Sequence, residues 1–113
     1  MKLLLAVPRR DENIPRQLKG DIVGHHEVFT IREKQWNGKL NGELLTLMLA
    51  EGFEALVTAD KNLQHQQNFN RYPIPVIVLN TYRITYEDIK PLVPKLLELL
   101  KTDLPGGATI VEK

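Results

Sequence analysis

Five short apolar segments divide the chain, and polar residues rarely interrupt them. They cover Leu3–Val7, Val28–Ile31, Ala55–Thr58, Val76–Leu79 and Thr109–Val111. Continuous aliphatic runs of this length, without alternation of apolar and polar side chains, are typical of strands buried on both faces of a parallel sheet. The pattern therefore predicts about five strands in a mainly parallel sheet.

The segments between these runs have helical periodicity. It is clearest from Glu43 to Glu51, where Gly52 follows in the position of a C-terminal cap. Strands and helices that alternate along a whole chain are typical of layered α/β proteins. We therefore expect a three-layer α/β/α sandwich that forms a single domain over residues 1–113.

The last helix is marked by a capping pair, Thr85 and Asp88. Because proline is tolerated in a first turn but not in a helix interior, Pro91 and Pro94 predict a regular helix from about Lys90 to Lys101. An apolar stripe on this helix is expected to pack on the sheet and consists of Leu92, Leu96, Leu99 and Leu100.

Composition narrows the class of protein. A chain of 113 residues fits one core, because two halves would each be too small to be stable. The absence of cysteine excludes disulfides and thiolate zinc sites, and the absence of serine excludes a serine nucleophile. No apolar run approaches the ~20 residues of a membrane span, so we expect no membrane association and a cytoplasmic location.

Three acidic residues follow the predicted strands at places where chemistry is expected. In open parallel sheets, ligands bind beyond the carboxyl ends of the strands. Asp60 directly follows the third apolar run, Asp11 follows the first after an interval, and Glu43 lies in the first turn of the helix after the second. Carboxylates that converge there would suit Mg²⁺ or Mn²⁺, which prefer oxygen ligands.

Each of these acids also has a structural interpretation. Asp60 is a good N-cap for a following helix, and Glu43 is a favourable charge at a helix N-terminus. Asp11 precedes Pro15 in a segment with the composition of a turn. Taken singly, no acid favours metal binding over its structural role.

Three phrases, taken in order, carry a resemblance to a known family. They are Asp11-Glu12-Asn13-Ile14-Pro15-Arg16, Asn41-Gly42-Glu43-Leu44-Leu45 and Leu56-Val57-Thr58-Ala59-Asp60-Lys61-Asn62-Leu63. Together they resemble small PIN-like proteins related to the toxin halves of bacterial toxin–antitoxin pairs. The resemblance implies a PIN-like fold and Mg²⁺- or Mn²⁺-dependent cleavage of RNA, with a small antitoxin protein as partner.

The resemblance also implies roles for particular residues. Asp11, Glu43 and Asp60 match the catalytic, metal-binding acids of that family. Among the metal ligands, Asn62 takes the place of a frequent acid and would contribute an amide oxygen without charge. Two further residues are expected to act on the RNA: Thr58 supports the site through its hydroxyl and Lys61 steadies a phosphate oxygen.

The chain departs from the family pattern between Leu5 and Asp11, where the segment Ala6–Arg10 intervenes. In the alternative register, Ala6 would occupy the place of the acid, and Pro15 would lie in a helix interior at a cost of ~3 kcal/mol. We therefore expect Asp11 to supply the acid. The second hypothesis for function is an inactive PIN-like scaffold that binds a protein partner or RNA.

Two further expectations concern partners. Trp36 lies in a loop-like stretch and either anchors a neighbouring molecule or packs against its own core, the outcome that we favour. The sequence also leaves open a second copy of the chain as a partner, which would form a homodimer.

Overall fold

The computed structural model describes residues 1–6, 13–24, 26–36, 41–59 and 74–112. The strands are β1 Lys2–Leu5, β2 Glu27–Thr30, β3 Ala55–Thr58, β4 Pro75–Leu79 and β5 Gly107–Val111. The helices are α1 Asn13–Ile22, α2 Asn41–Ala50, α3 Tyr86–Ile89 and α4 Val93–Leu100, with a 3₁₀ turn at Lys90–Leu92 between the last two.

The strands form one sheet in the order β2-β1-β3-β4-β5, and every neighbouring pair is parallel. This is one of the common orders of doubly wound sheets. β2 lies on one side of β1, and β3, β4 and β5 follow on the other side. The reversal lies between β1 and β3. The carboxyl ends of these two strands are therefore the expected place for a ligand.

All five predicted strands are confirmed, with small shifts at their ends. β3 has the predicted bounds, whereas β1, β2 and β4 each begin one residue early and β5 begins two residues early. The added residues Lys2 and Glu27 are polar but pair with each other at the amino edge of the sheet. Backbone pairing does not depend on side-chain polarity, which is why hydropathy alone missed them.

Two apolar clusters cover the two faces of the sheet. Leu3 and Leu5 of β1 belong to a cluster that includes Leu18 of α1 and Leu96 of α4. Leu4, which points to the other face, belongs to a cluster with Met48 of α2. The α/β class is thus confirmed. Within the described ranges, α2 is the one helix on the second face, and a full three-layer sandwich stays a prediction.

The last helical segment begins at Tyr86, before the predicted Lys90, and a 3₁₀ turn divides it into α3 and α4. The capping pair is confirmed, because the Thr85 hydroxyl accepts a hydrogen bond from the Asp88 N–H at 3.2 Å. It caps the one-turn helix α3, however, and the regular helix α4 begins three residues after the predicted Lys90. Pro91 and Pro94 donate no backbone hydrogen bond, which explains the tighter 3₁₀ turn between the two helices.

The cap of α2 at Gly52 is confirmed. Gly52 has a φ of 77° and its N–H bonds to the Leu49 carbonyl at 3.3 Å, while the Phe53 N–H bonds to the Met48 carbonyl at 2.9 Å. These two bonds define a Schellman motif, in which glycine is favoured because its left-handed conformation carries no Cβ penalty. The chain then turns directly into β3.

Trp36 packs against the protein's own core, which confirms the outcome that we favoured from the sequence. Its side chain is buried, and its ring makes an edge contact with Phe53 at a centroid distance of 5.6 Å. The Lys34 ammonium lies 5.3 Å from the Trp36 ring centroid. The indole is therefore not exposed to anchor a partner.

No helix in the described part of the chain is both long enough and apolar enough to span a bilayer.

We predict that Gly52→Ala destabilises the protein by about 1–2 kcal/mol, because alanine would have to adopt the left-handed conformation. The matched control is Gly20→Ala in α1, which should stabilise the protein by up to about 1 kcal/mol through helix propensity. A Cβ added at either glycine meets no atom within 4 Å, so the comparison isolates the backbone. Urea unfolding measures both changes; equal free energies of unfolding for the two variants would contradict the assignment.

Candidate metal centre

The carboxyl ends of β1 and β3 lie side by side. Leu5 pairs with Val57, and the Ala6 N–H donates to the Val57 carbonyl at 2.8 Å. Neighbouring strands are ~4.8 Å apart, so residues that continue from these two ends start close to one another. Ala6 continues toward Asp11, and Ala59 is followed directly by Asp60.

Thr58 ties these two strand ends together. Its side chain is fully buried, and its hydroxyl donates to the Ala6 carbonyl at 3.0 Å. On its other side, Thr58 pairs with Val78 of β4. A hydroxyl bonded in this way satisfies a carbonyl just beyond the end of a strand and fixes the separation of the chains that leave it.

Glu43 lies in the first turn of α2 and is exposed. The last turn of α2 lies at the amino edge of the sheet, because the Lys2 ammonium donates to the Glu51 carbonyl at 2.6 Å. A helix that packs along the sheet and ends at the amino edge has its first turn directed toward the carboxyl edge. Glu43 is therefore at the end of α2 that is nearer to the tips of β1 and β3.

The other four predicted site residues, Asp11, Asp60, Lys61 and Asn62, lie outside the described residues. Within the described ranges, no group of three histidine, aspartate or glutamate side chains could hold a metal ion. Those ranges contain one of the three predicted metal-binding acids, Glu43. The convergence of the three carboxylates accordingly stays a prediction.

The register in which Asp11, rather than Ala6, supplies the acid stays a prediction, because Asp11 lies outside the described residues. α1 is described from Asn13, and Pro15 is the third residue of that range. Ala6 occupies the position directly beyond β1 and offers no carboxylate.

The loop after β4 is a feature of this edge that the sequence interpretation missed. It begins at Asn80, whose amide group donates to a Glu112 carboxylate oxygen at 2.9 Å, and it carries Tyr82, which is 92% exposed. Next, the Arg83 N–H donates to Asp88 Oδ2 at 3.0 Å. The signal was available, because this loop follows an apolar run just as Asp60 does, but tyrosine and arginine are not metal ligands.

No family model, curated protein or solved structure matches the chain. The resemblance to PIN-like proteins therefore depends on the sequence phrases alone.

Proposed function

We propose that this protein is a divalent-metal-dependent ribonuclease with a PIN-like three-layer fold, the toxin of a toxin–antitoxin pair. The observation that carries the proposal is the junction of β1 and β3 at the reversal of the sheet, where Thr58 is bonded to Ala6. The chain leaves this junction toward Asp11 on one side and Asp60 on the other. Ligands of doubly wound sheets bind at such a position.

The proposed site consists of the carboxylates of Asp11, Glu43 and Asp60 together with the amide oxygen of Asn62. This set contains only hard oxygen donors, which suit Mg²⁺ or Mn²⁺. The ion, when bound, would activate a water and neutralise charge on the phosphoryl group during hydrolysis of an RNA phosphodiester. The carboxylates themselves would hold the ion and orient that water for attack on the phosphodiester.

Lys61 and Thr58 complete the proposed site with different roles. Lys61 would hold a phosphate oxygen of the RNA as a point charge. Thr58 is fully buried, so its proposed role is to position the ends of β1 and β3 rather than to contact the substrate. The partners of this proposal are RNA and a small antitoxin protein, with a homodimer as a further assembly, all in the cytoplasm.

One observation favours a second function, a PIN-like scaffold without catalysis that binds a protein partner or RNA. Ala6 stands directly beyond β1 and carries no carboxylate, while Asn62 replaces a charged ligand with a neutral one. Both features reduce the negative charge available to hold a divalent cation. Metal binding therefore separates the two functions.

We predict that Asp60→Asn abolishes Mn²⁺-stimulated cleavage of RNA and weakens Mn²⁺ binding at least about tenfold, the lower end of what even outer-shell changes cost. Calorimetric titration with Mn²⁺ measures the binding, and cleavage of a labelled RNA measures the activity. The matched control is Asp103→Asn, an exposed position after α4 that should leave both unchanged.

Either of two results would count against the proposed site. Cleavage and saturable Mn²⁺ heat that persist in Asp60→Asn would place the site elsewhere. A wild-type protein without saturable heat would favour the scaffold, because such a protein needs no cation.

We predict that Thr58→Val lowers the free energy of unfolding by about 1 kcal/mol, because the Ala6 carbonyl loses a buried hydrogen bond while the side-chain shape is kept. It should also weaken Mn²⁺ binding roughly tenfold, as loss of a supporting residue does at other metal sites. Thr58→Ser, which retains the hydroxyl, serves as the control and should keep most of the affinity. If Thr58→Val is destabilised but binds Mn²⁺ like the wild type, Thr58 supports the fold and not the site.

A further inference from the structure

Tyr82 is the most exposed large hydrophobic side chain in the described part of the chain, at 92% exposure. The guanidinium carbon of Arg83 lies 5.9 Å from the centroid of its ring. Burying an aromatic ring is favourable, so a ring left almost wholly in solvent beside a cation is available for a ligand.

Tyr82 follows the carboxyl end of β4, at the same edge of the sheet as the proposed site. β4 is the neighbour of β3, with Thr58 paired to Val78, and Tyr82 follows the last residue of β4 by three positions. The loop therefore leaves the sheet at the same edge as Ala59, which leads to Asp60. A ligand that extends from the strand end of β3 toward that of β4 would meet this loop.

The loop is anchored at both ends. At its start, Asn80 bonds to β5 through its backbone N–H, which donates to the Val111 carbonyl at 2.8 Å. At its end, Thr85 caps α3, and the Asp88 carboxylate accepts a hydrogen bond from the Arg83 N–H. These bonds fix the backbone on each side of Tyr82, which lowers the entropy lost when a ligand binds.

A contact between helices also fixes α3 behind the loop. The Tyr86 hydroxyl donates to an Asp21 carboxylate oxygen of α1. This hydrogen bond, with smaller effects of burial and of the Asp21 charge, raises the pKa of Tyr86 above its usual value. α3 is thus bonded to α1 as well as to its own capping loop.

We propose that Tyr82 and Arg83 bind an unpaired nucleotide of the RNA, so that the substrate of the proposed nuclease is single-stranded at this position. The Tyr82 ring stacks on a base, and the Arg83 guanidinium contacts an adjacent phosphate. Bases of a duplex are already stacked on each other and cannot lie on an aromatic side chain, whereas splayed single-stranded bases can. This inference rests on the proposed function, because that function supplies RNA as the ligand.

The surroundings of Tyr82 favour RNA over a protein partner. Hot spots for protein binding lie among contacts that exclude water. Tyr82 is the one exposed large hydrophobic side chain of the described loop after β4, so it lacks apolar neighbours that would exclude water, and the next residue is the exposed, cationic Arg83. Since the chain has a formal net charge of only +1, attraction to phosphates must come from local cations such as this one.

The test is fluorescence anisotropy with a labelled oligouridylate and a labelled RNA duplex of equal length, both in EDTA. Tyr82→Ala should weaken binding of the oligouridylate about fivefold or more, the lower limit for loss of one stacked base. Tyr82→Phe, which keeps the ring, should bind like the wild type. Leu49→Ala on α2 is the control for loss of an exposed apolar side chain and should also bind like the wild type.

Three results would overturn the inference: no binding of the oligouridylate by the wild type, unchanged binding by Tyr82→Ala, or an equal loss of duplex binding in that variant. Because EDTA removes the cation, none of these results depends on the metal site. The calorimetric Mn²⁺ titration tests that site separately, so failure of the stacking contact and failure of the nuclease proposal are distinguishable.

Discussion

The pairing of β1 with β3 is the constraint on which the rest of the molecule depends. It places the first strand of the chain next to one that begins about 50 residues later, and it creates the reversal point of the sheet. Two hydrogen bonds extend this pairing beyond the strands, one from the Ala6 N–H to Val57 and one from the Thr58 hydroxyl to Ala6. The strand ends are thereby held at a fixed separation before any ligand is present, which is the geometry that a metal site requires.

Burial on both faces explains how a strand as short as β1 can stay at this position in the sheet. Leu3 and Leu5 contribute to the cluster under α1 and α4, and Leu4 contributes to the cluster under α2. All three side chains are buried almost completely, so every position after Lys2 stabilises the sheet. The functional groups of the proposed sites would then come from residues beyond the strands, such as Glu43, Tyr82 and the segment after Ala59.

Sequence patterns predicted the local features of the fold and missed those that depend on distant contacts. β3 and the Gly52 cap follow from short-range preferences, and both are confirmed. The order of the strands does not, because the hydropathy of β1 is compatible with pairing to either neighbour. The predicted start of the last helix was wrong. The cap at Thr85 begins the one-turn helix α3, and a 3₁₀ turn that contains Pro91 separates it from α4. For the proposed sites, the sequence indicated Thr58 and Glu43 but not Tyr82, because tyrosine is not a preferred metal ligand and its exposure depends on the tertiary structure.

The proposed site requires that carboxylates from separate parts of the chain meet at the tips of β1 and β3. A crystal structure of the protein with Mn²⁺, with the ion located by its anomalous scattering, tests this most directly. We expect one ion within about 2.2 Å of oxygens from both Glu43 and Asp60, close to the distance usual for hard divalent cations. An ion bound at another place, or Glu43 and Asp60 directed to opposite sides of the molecule, would contradict it.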